Sequence, residues 1–539
     1  MRHILFTTSL LLAATVAAQW TTPDLNTAVS ATTGVGAATP LSAPGPDGST
    51  YACWFENSTG AYVLKMQRLD ADGNALWATG GIVVSAENQN TALFRYDFKS
   101  DNAGNAIVAF QDERSGSLDV VAYKIGPDGQ SQWPGGIPLL TPSATGLAPV
   151  IGVLADDRIV FAWNTDRSPA TVAYLIVEPN GTFSGVPFEV GGSGITGRPK
   201  VVPTSDGGFW LQYVHQTGNF LSPGTMYTVR CDASGTPGPE INVAAATISG
   251  FYFPEPVSDQ HDGFYVAFNT GNVANGNLTD VNVQRVRANG INWSTNGVAV
   301  EDGVLTQRYT GTATPALVSD DDGLFMAYSI TNLNQSEGGI AVQKFDTAGV
   351  VAFGATGSIV EASSSARPQP FGTIATPSGI IAAYTTGEFG NVTAHALQVD
   401  LNGAVVQPVI DLCTTPSGKD DATITPFRNG QAVAVWQDER NGGSIYAQPI
   451  LLDINIGLAE QRDDGIVLLG GAAPSLLFRT ATPATTLCIT DVNGRLLHEQ
   501  RLPAQAEGAQ VLLPLGDASG VYLVVLDGDH SRIVKRVVR

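Results

Sequence analysis

Short runs of alternating apolar and polar residues, punctuated by Gly, Asp and Pro, extend along nearly the whole chain. Alternation with period two marks strands that bury one face. Within 97–141 it predicts four strands, near 97–101, 106–112, 118–125 and 136–141. Pro127-Asp128-Gly129 supplies the positive φ that a tight hairpin requires between the last two. No segment sustains the 3.6-residue apolar period of an amphipathic helix, so the expected class is all-β.

The pattern recurs. AIVAFQDERSG, from Ala106, returns as AVAVWQDERNG from Ala432. Weaker copies are STYACWFENSTG from Ser49, IVFAWNTDRS from Ile159, GFWLQYVHQTG from Gly208 and GFYVAFNTGN from Gly263. LFMAYSITN from Leu324 and IIAAYTTGE from Ile380 complete the series. Each follows a turn: Asp47-Gly48, Ala103-Gly104, Asp156-Asp157, Gly207-Gly208, Asp262-Gly263, Asp322-Gly323, Ser378-Gly379 and Asn429-Gly430. Counted from the second turn residue, successive spacings run from 51 to 60 residues.

A single four-stranded sheet cannot bury both of its faces, so neighbouring copies must stack, and stacking about an axis makes a β-propeller. The expected fold is all-β: an eight-bladed propeller, or a seven-bladed one if a weak copy within 198–303 is not a unit, followed by a small antiparallel β-sandwich. The eighth unit ends near Leu452, one strand short. Leu25-Asn26-Thr27-Ala28-Val29 resembles the fourth strand Gly81-Ile82-Val83-Val84-Ser85 and would complete it, removing two open edges. An open β-solenoid is the alternative, and the spare strand argues against it.

Composition narrows the setting. The chain of 539 residues is 43% hydrophobic and only 14% charged, with 60 Gly and 31 Pro to punctuate short strands. Its net charge of −21 argues against nucleic acid and anionic membrane partners, both of which need clustered Lys and Arg. Met1-Arg2-His3, an apolar run from Ile4 to Val16, and small residues before Gln19 read as a secretory signal peptide cleaved after Ala18. No later apolar run is long enough to span a bilayer. Export permits disulfides, but Cys53, Cys231, Cys413 and Cys488 are far apart and share no repeat position, so buried free thiols are expected, with one long-range bridge as the alternative. Their spacing disfavours zinc.

The expected partition is signal peptide 1–18, propeller 19–457, connector and start of a terminal domain 458–484, and the core of that domain 485–539. After Gly457 the repeat stops, and from Thr485 a new alternation predicts at least four strands, with turns at Asn493-Gly494, Asp517–Gly520 and Asp527-Gly528. Ile489-Thr490-Asp491-Val492-Asn493-Gly494-Arg495, Ser519-Gly520-Val521-Tyr522-Leu523-Val524-Val525 and the basic ending Ile533-Val534-Lys535-Arg536-Val537-Val538-Arg539 resemble the type A C-terminal sorting domain of type IX secretion cargo. Members often begin this domain with Pro-Asn-Pro, where this chain has Gly470-Gly471-Ala472-Ala473-Pro474. The resemblance covers about residues 460–539. It implies export through the inner membrane, partnership with the type IX machinery, and an exported body that is released or held at the cell surface. An ordinary immunoglobulin-like module is the alternative.

No motif for chemistry stands out, and no catalytic, cofactor-binding or metal-binding residue is assigned. The recurrent Asp112-Glu113-Arg114, Asp166-Arg167 and Asp438-Glu439-Arg440 follow second strands, where turn capping or inter-blade ion pairing is expected; catalysis needs a group once, not per blade. Ser319-Asp320-Asp321-Asp322-Gly323 partly resembles a sialidase Asp-box, with Met326 in place of the Trp and the turn before the wrong strand. Asp70-Ala71-Asp72-Gly73-Asn74 lacks the later Glu of a calcium loop and reads as a hairpin turn; no cofactor is expected beyond a weak stabilising calcium ion at such acidic turns. His215, His261 and His395 occupy non-equivalent positions and suggest no metal centre. The leading expectation is therefore a non-enzymatic binding or adhesion protein for a glycan or protein ligand. A polysaccharide-acting hydrolase or lyase is the first alternative, because propellers assemble sites from distant strands, and a structural surface-layer component is the second.

Overall fold

A computed structural model describes residues 20–538 other than 31–35, 58–59, 90–94, 115–117, 140–144, 193, 220–221, 249–253, 273–277, 301–305, 308–315, 321–322, 333, 377, 429, 452–465, 470–474, 479–480, 492–494, 507, 516–520 and 529–530. The signal-peptide reading of 1–18 lies outside these residues. The chain divides into two compact units, Met1–Leu451 and Leu452–Arg539.

The first unit is an eight-bladed β-propeller. Blade 1 orders its strands in sequence: Ala37–Pro44, Thr50–Asn57, Tyr62–Leu69 and Ile82–Gln89, all antiparallel. The first strand is the inner one. Its counterparts are Asp97–Ser100, Gly146–Val153, Ile195–Pro203, Val257–Ser258, Ala316–Asp320, Gln369–Thr376 and Lys419–Ile424. Each inner strand packs on the next, and Lys419–Ile424 packs back on Ala37–Pro44, so the ring is closed.

Both faces of a blade are covered by neighbours, which explains the continuous apolar second strands. All seven residues of Ala106–Asp112 are buried. Tyr51, Cys53 and Phe55 of blade 1 share a core with Phe98, Val108 and Phe110 of blade 2, and Ile107 and Ala109 turn the other way onto Ile159 and Phe161 of blade 3. The second strands also carry the fully buried Trp54, Trp163, Trp210 and Trp436. Burying a large apolar side chain is worth roughly 1.5–3 kcal/mol, so these four anchor their blades.

Ring closure is completed by the N-terminal segment. Thr27–Ala28 pairs antiparallel with Ser444–Leu451, as the fourth strand of blade 8. Asn26, at φ 57°, donates through its side chain to Leu412 O (2.7 Å) and Gln448 Oε1 (3.0 Å) and accepts from Arg440 (2.6 Å). Thr414 N donates to Pro23 O, and Trp20 Nε1 to Ala71 O, so this one segment ties blades 7, 8 and 1 together. The strand is shorter than the expected 25–29. In blade 2 the strands are 97–100, 106–112, 119–125 and 137–138, and Leu139 N still donates to Val120 O (2.9 Å) beyond the last. Four thiols remain free, three of them buried.

The second unit holds two sheets. Ile466–Leu469, Ser475–Phe478 and Gln510–Leu512 form one; Leu496–Leu502, Thr485–Asp491, Val521–Gly528 and Ser531–Val538 form the other, in that spatial order. Leu476 and Phe478 of the first pack with Leu487, Ile489, Val524 and Leu526 of the second, which defines a small antiparallel sandwich. Two of its strands, at 466–469 and 475–478, fall in the stretch read from sequence as connector and start of the terminal domain. The expected turns at 493–494 and 517–520 lie outside the described residues.

Candidate functional site at the ring axis

Four inner strands carry the same irregularity. Their pairing slips between Ala38 and Leu41, Leu147 and Val150, Gly197 and Lys200, and Asp420 and Thr423. The first bulged residue has positive φ in each: Thr39 at 51°, Ala148 at 50°, Arg198 at 60° and Asp421 at 48°. A non-glycine residue held there costs on the order of 1–3 kcal/mol and persists only when its surroundings enforce it. Pro40, Pro149 and Pro199 follow the first three and have no donor for the interrupted ladder to waste. The bulged N–H groups of Thr39, Ala148 and Arg198 donate to Gln437 (3.1 Å), Gln111 (3.0 Å) and Asn164 (2.8 Å), each on the second strand of the preceding blade. In blade 2, Asp97 pairs with Ala109 as Leu41 pairs with Cys53, which places Arg95 at the level of the bulged residues.

Charge collects at this level. Arg95 of blade 2 is within electrostatic reach of Asp421 of blade 8, Glu255 of blade 5 and Arg198 of blade 4. None of these blades adjoins blade 2, so the interactions cross the axis. Lys200 donates to Glu255 (2.5 Å), and Asp97 lies 3.5 Å from Lys99 while accepting from Ile151 N (2.8 Å). Four cationic side chains therefore meet Asp97, Glu255, Asp420 and Asp421 in a chain that has only 28 Lys and Arg against 49 Asp and Glu.

Solvent reaches Arg95, Glu255, Asp420 and Asp421, while Arg198 and Lys200 are half-buried. The restricted solvation raises the Asp421 pKa, the Asp420 charge raises it further, and Arg95 only partly opposes them. For Arg198, burial and then repulsion from Arg95 bring the pKa down to about 10. Arg95 is lowered too, by burial, with Glu255 and Asp421 pulling the other way.

The recurrent acidic–basic signature does different work. Arg114 folds back on Asp112 (2.5 Å), donates to Gly135 O (2.7 Å) and reaches Tyr123 OH (3.0 Å), all within blade 2. Arg440 contacts Asp438 (3.0 Å) and stacks on Tyr446 within blade 8; Arg167 pairs with Glu189 (2.5 Å) within blade 3. Turn capping is thus its role, and ion pairing between blades is not: the Arg side chains curl back over their own turns. The residue that bridges blades is a Gln or Asn one or two positions before the signature, Gln111, Asn164 and Gln437. Asp438 is a heavily satisfied carboxylate. Burial alone would raise its pKa, but Ser417 Oγ (2.6 Å), Trp436 Nε1 (3.0 Å), Arg440 N (3.0 Å) and the Lys419 ammonium (3.4 Å) together hold it below the usual range.

Two histidines form short relays. His215 joins Thr196 Oγ1 (2.7 Å) to Glu240 (2.9 Å), and His395 joins Thr393 Oγ1 (2.7 Å) to Asp411 (3.0 Å). Thr196 is fully buried, so its hydroxyl is closed to a substrate and the relay ties inner to outer strand. His261 sits in a turn on the Asp259 carboxylate. Asp70 Oδ1 accepts from Asp72 N and Asn74 N, which uses the carboxylate to hold its own hairpin. Ser319 Oγ bonds Ser258 O, while 321–322 of the Asp-box-like turn lie outside the described residues. Among the described residues no three His, Cys, Asp or Glu side chains gather to hold a metal.

Sequence reading overlooked the axial residues. One signal was present: Thr39-Pro40, Ala148-Pro149 and Arg198-Pro199 each stand six residues before the first residue of a turn, at Gly45, Leu154 and Thr204. No family model and no curated protein matches this chain. Solved structures that resemble it include a protein of unknown function from Dyadobacter fermentans, with 10% identity over 79% of this chain and 96% of that one, at a TM-score of 0.37. A ulvan lyase from a new family of polysaccharide lyases has 10% identity over 78% and 96%, at 0.41. The α-L-arabinanase of Penicillium chrysogenum has 13% identity over 59% and 97%, at 0.38. Overlaps this loose carry no argument about chemistry, and the propeller assignment rests on the closed ring of inner strands.

Proposed function

We propose that the propeller is a glycan-cleaving enzyme, a hydrolase or lyase, that works at the axial mouth. One observation carries this reading: Asp421, held at positive φ on the inner strand of blade 8 beside Asp420, is open to the axis and lies within electrostatic reach of Arg95 across it. A general acid must keep its proton near the working pH, and restricted solvation beside a second carboxylate supplies that property. In the proposed role Asp421 donates a proton to the departing glycosidic oxygen, while Glu255 or Asp420 serves as the base. Lys200 pairs with Glu255 at 2.5 Å and fixes its position. A binding or adhesion protein, or a surface-layer component, has no evident use for a carboxylate of raised pKa at this place.

The test is digestion of a panel of neutral and acidic polysaccharides by residues 19–457, reading new reducing ends and the ultraviolet absorbance of unsaturated termini. Reducing ends alone identify a hydrolase, and both together a lyase. Binding without either product on every polysaccharide would return the protein to the adhesin class.

For location, the reading remains an exported cargo whose terminal sandwich addresses it to the type IX machinery, supported by the sequence runs at 489–495, 519–525 and 533–539. Removing 458–539 should leave the propeller in the periplasm. Surface display of the truncated protein would refute the address.

A further inference from the structure

We infer that the tip of the blade 7 hairpin is an outer sugar-binding subsite, where Phe389 stacks on a pyranose ring between Glu388 and Asn391. This rests on the reading of a glycan at the axial mouth and adds a second place where the same polymer is gripped. In blade 7 the second and third strands, Gly379–Glu388 and Asn391–Asp400, pair without interruption up to Glu388 opposite Asn391. Only Phe389 and Gly390 remain to make the turn, with Gly390 at φ 77°. The hairpin leaves the ring on the face of Asp421. At that end of blade 8, Asp420 pairs with Gln437, as Gln369 pairs with Thr385 in blade 7. From Thr385 to Phe389 the hairpin rises about 13 Å, at roughly 3.3 Å per residue. Its base is braced, because Gly387 N (2.8 Å) and Thr386 Oγ1 (3.2 Å) both donate to Ala366 O on the segment that enters the blade. A side chain at Gly387 would meet Asn391 O at 2.5 Å, so only glycine lets the two strands close there.

Phe389 is fully exposed, whereas Phe183 and Phe188 are only 39% and 37% exposed, and Phe188 stacks on Tyr174. An apolar ring left in water contributes no burial energy to the fold. Held on a fully paired hairpin, it has little freedom left to lose when a ligand binds. Its surroundings fit one class of ligand. At this tip the apolar surface is a single ring, far below the roughly 800 Å² per partner that a stable protein interface buries. Glu388 and Asn391 flank it, both exposed, and among the described residues no protein group holds either side chain. The C–H face of a pyranose covers one aromatic ring, while its hydroxyls donate to a carboxylate and exchange hydrogen bonds with an amide. An anionic bilayer would be repelled by Glu388 in a chain of net charge −21. A glycan running outward from Asp421 over the neighbouring blade meets this ring.

Equilibrium titration of the full chain carrying Asp421→Asn tests the subsite without turnover, using arabinan, xylan, polygalacturonate and dextran sulfate as probes. For a polysaccharide that binds, adding Phe389→Ala should weaken affinity about three- to tenfold, the range of one aromatic stacking contact. The melting temperature should not change, because the ring is fully exposed. Phe389→Trp should restore affinity, and its fluorescence should move to shorter wavelength as the polysaccharide covers the indole. Parent-like affinity in Phe389→Ala, an unshifted Phe389→Trp spectrum at saturation, or binding of none of the four probes overturns the inference. Loss of affinity in Phe389→Ala without cleavage by the parent would leave the subsite standing and sink the catalytic reading. Cleavage by the parent with parent-like affinity in Phe389→Ala would do the reverse.

Discussion

Asp421 on the inner strand of blade 8 and Asp438 on its second strand are treated in opposite ways by the protein. Asp438 is wholly buried and receives hydrogen bonds from a serine, an indole and a backbone amide beside two cations. Asp421 is open to the axis, and among the described residues no hydrogen bond reaches its carboxylate. One environment stabilises the charge and the other penalises it. The first is what a structural joint requires, because Asp438 neutralises Lys419 and Arg440 where the N-terminal strand closes the ring. The second has no structural benefit, and a backbone strained at the same residue adds to its cost. Such a position is retained for chemistry or binding.

Substitution should separate the two most clearly in turnover. Asp421→Asn is expected to lower the rate of polysaccharide cleavage by roughly 10²–10⁴-fold, the usual contribution of a general acid. Its melting temperature should equal or exceed that of the parent, since a penalised charge has been removed. A variant that cleaves normally, or that unfolds early, would erase the contrast. Asp438→Ala should do the reverse, costing roughly 3–5 kcal/mol in urea unfolding because Lys419 is left buried without its counter-charge. Unchanged stability there would show that the network is dispensable.

A smaller loss is expected at the residues that set the bulges. Asn164→Ala leaves the Arg198 N–H without its acceptor and should cost about 1–3 kcal/mol. The gentlest effect is on pH dependence, and its sign differs between the two carboxylates. Because the folded pKa of Asp438 is lowered, its stabilisation is present above the unfolded value and is lost as pH falls through the folded one. Because that of Asp421 is raised, its contribution is present below the unfolded value and is lost as pH rises through the folded one. Melting temperatures measured from acid to neutral pH should therefore fall less steeply on the acid side for Asp438→Asn. For Asp421→Asn the gain over the parent should appear only towards neutral pH.

Much of the fold was legible along the chain. Strand positions in blade 2, eight repeats and a spare N-terminal strand all follow from residues close in sequence, because every blade solves the same burial problem. The capping of Asp112 by Arg114 is local for the same reason. Less was visible at 458–484, where Ile466–Leu469 and Ser475–Phe478 are short strands whose pairing partners lie elsewhere in the sandwich. The axial site was not legible. Arg95, Arg198, Glu255 and Asp421 belong to blades 2, 4, 5 and 8, and no spacing relates residues that face one another only after a ring has closed. Thr39-Pro40, Ala148-Pro149 and Arg198-Pro199 mark the bulges, but they do not say which of those positions carry charge towards a common point. Local periodicity decided that there would be blades and narrowed their number to seven or eight. Closure alone decided which charges would share an axis, because electrostatic neighbours across a ring are set by distance in space and by the solvent excluded between them.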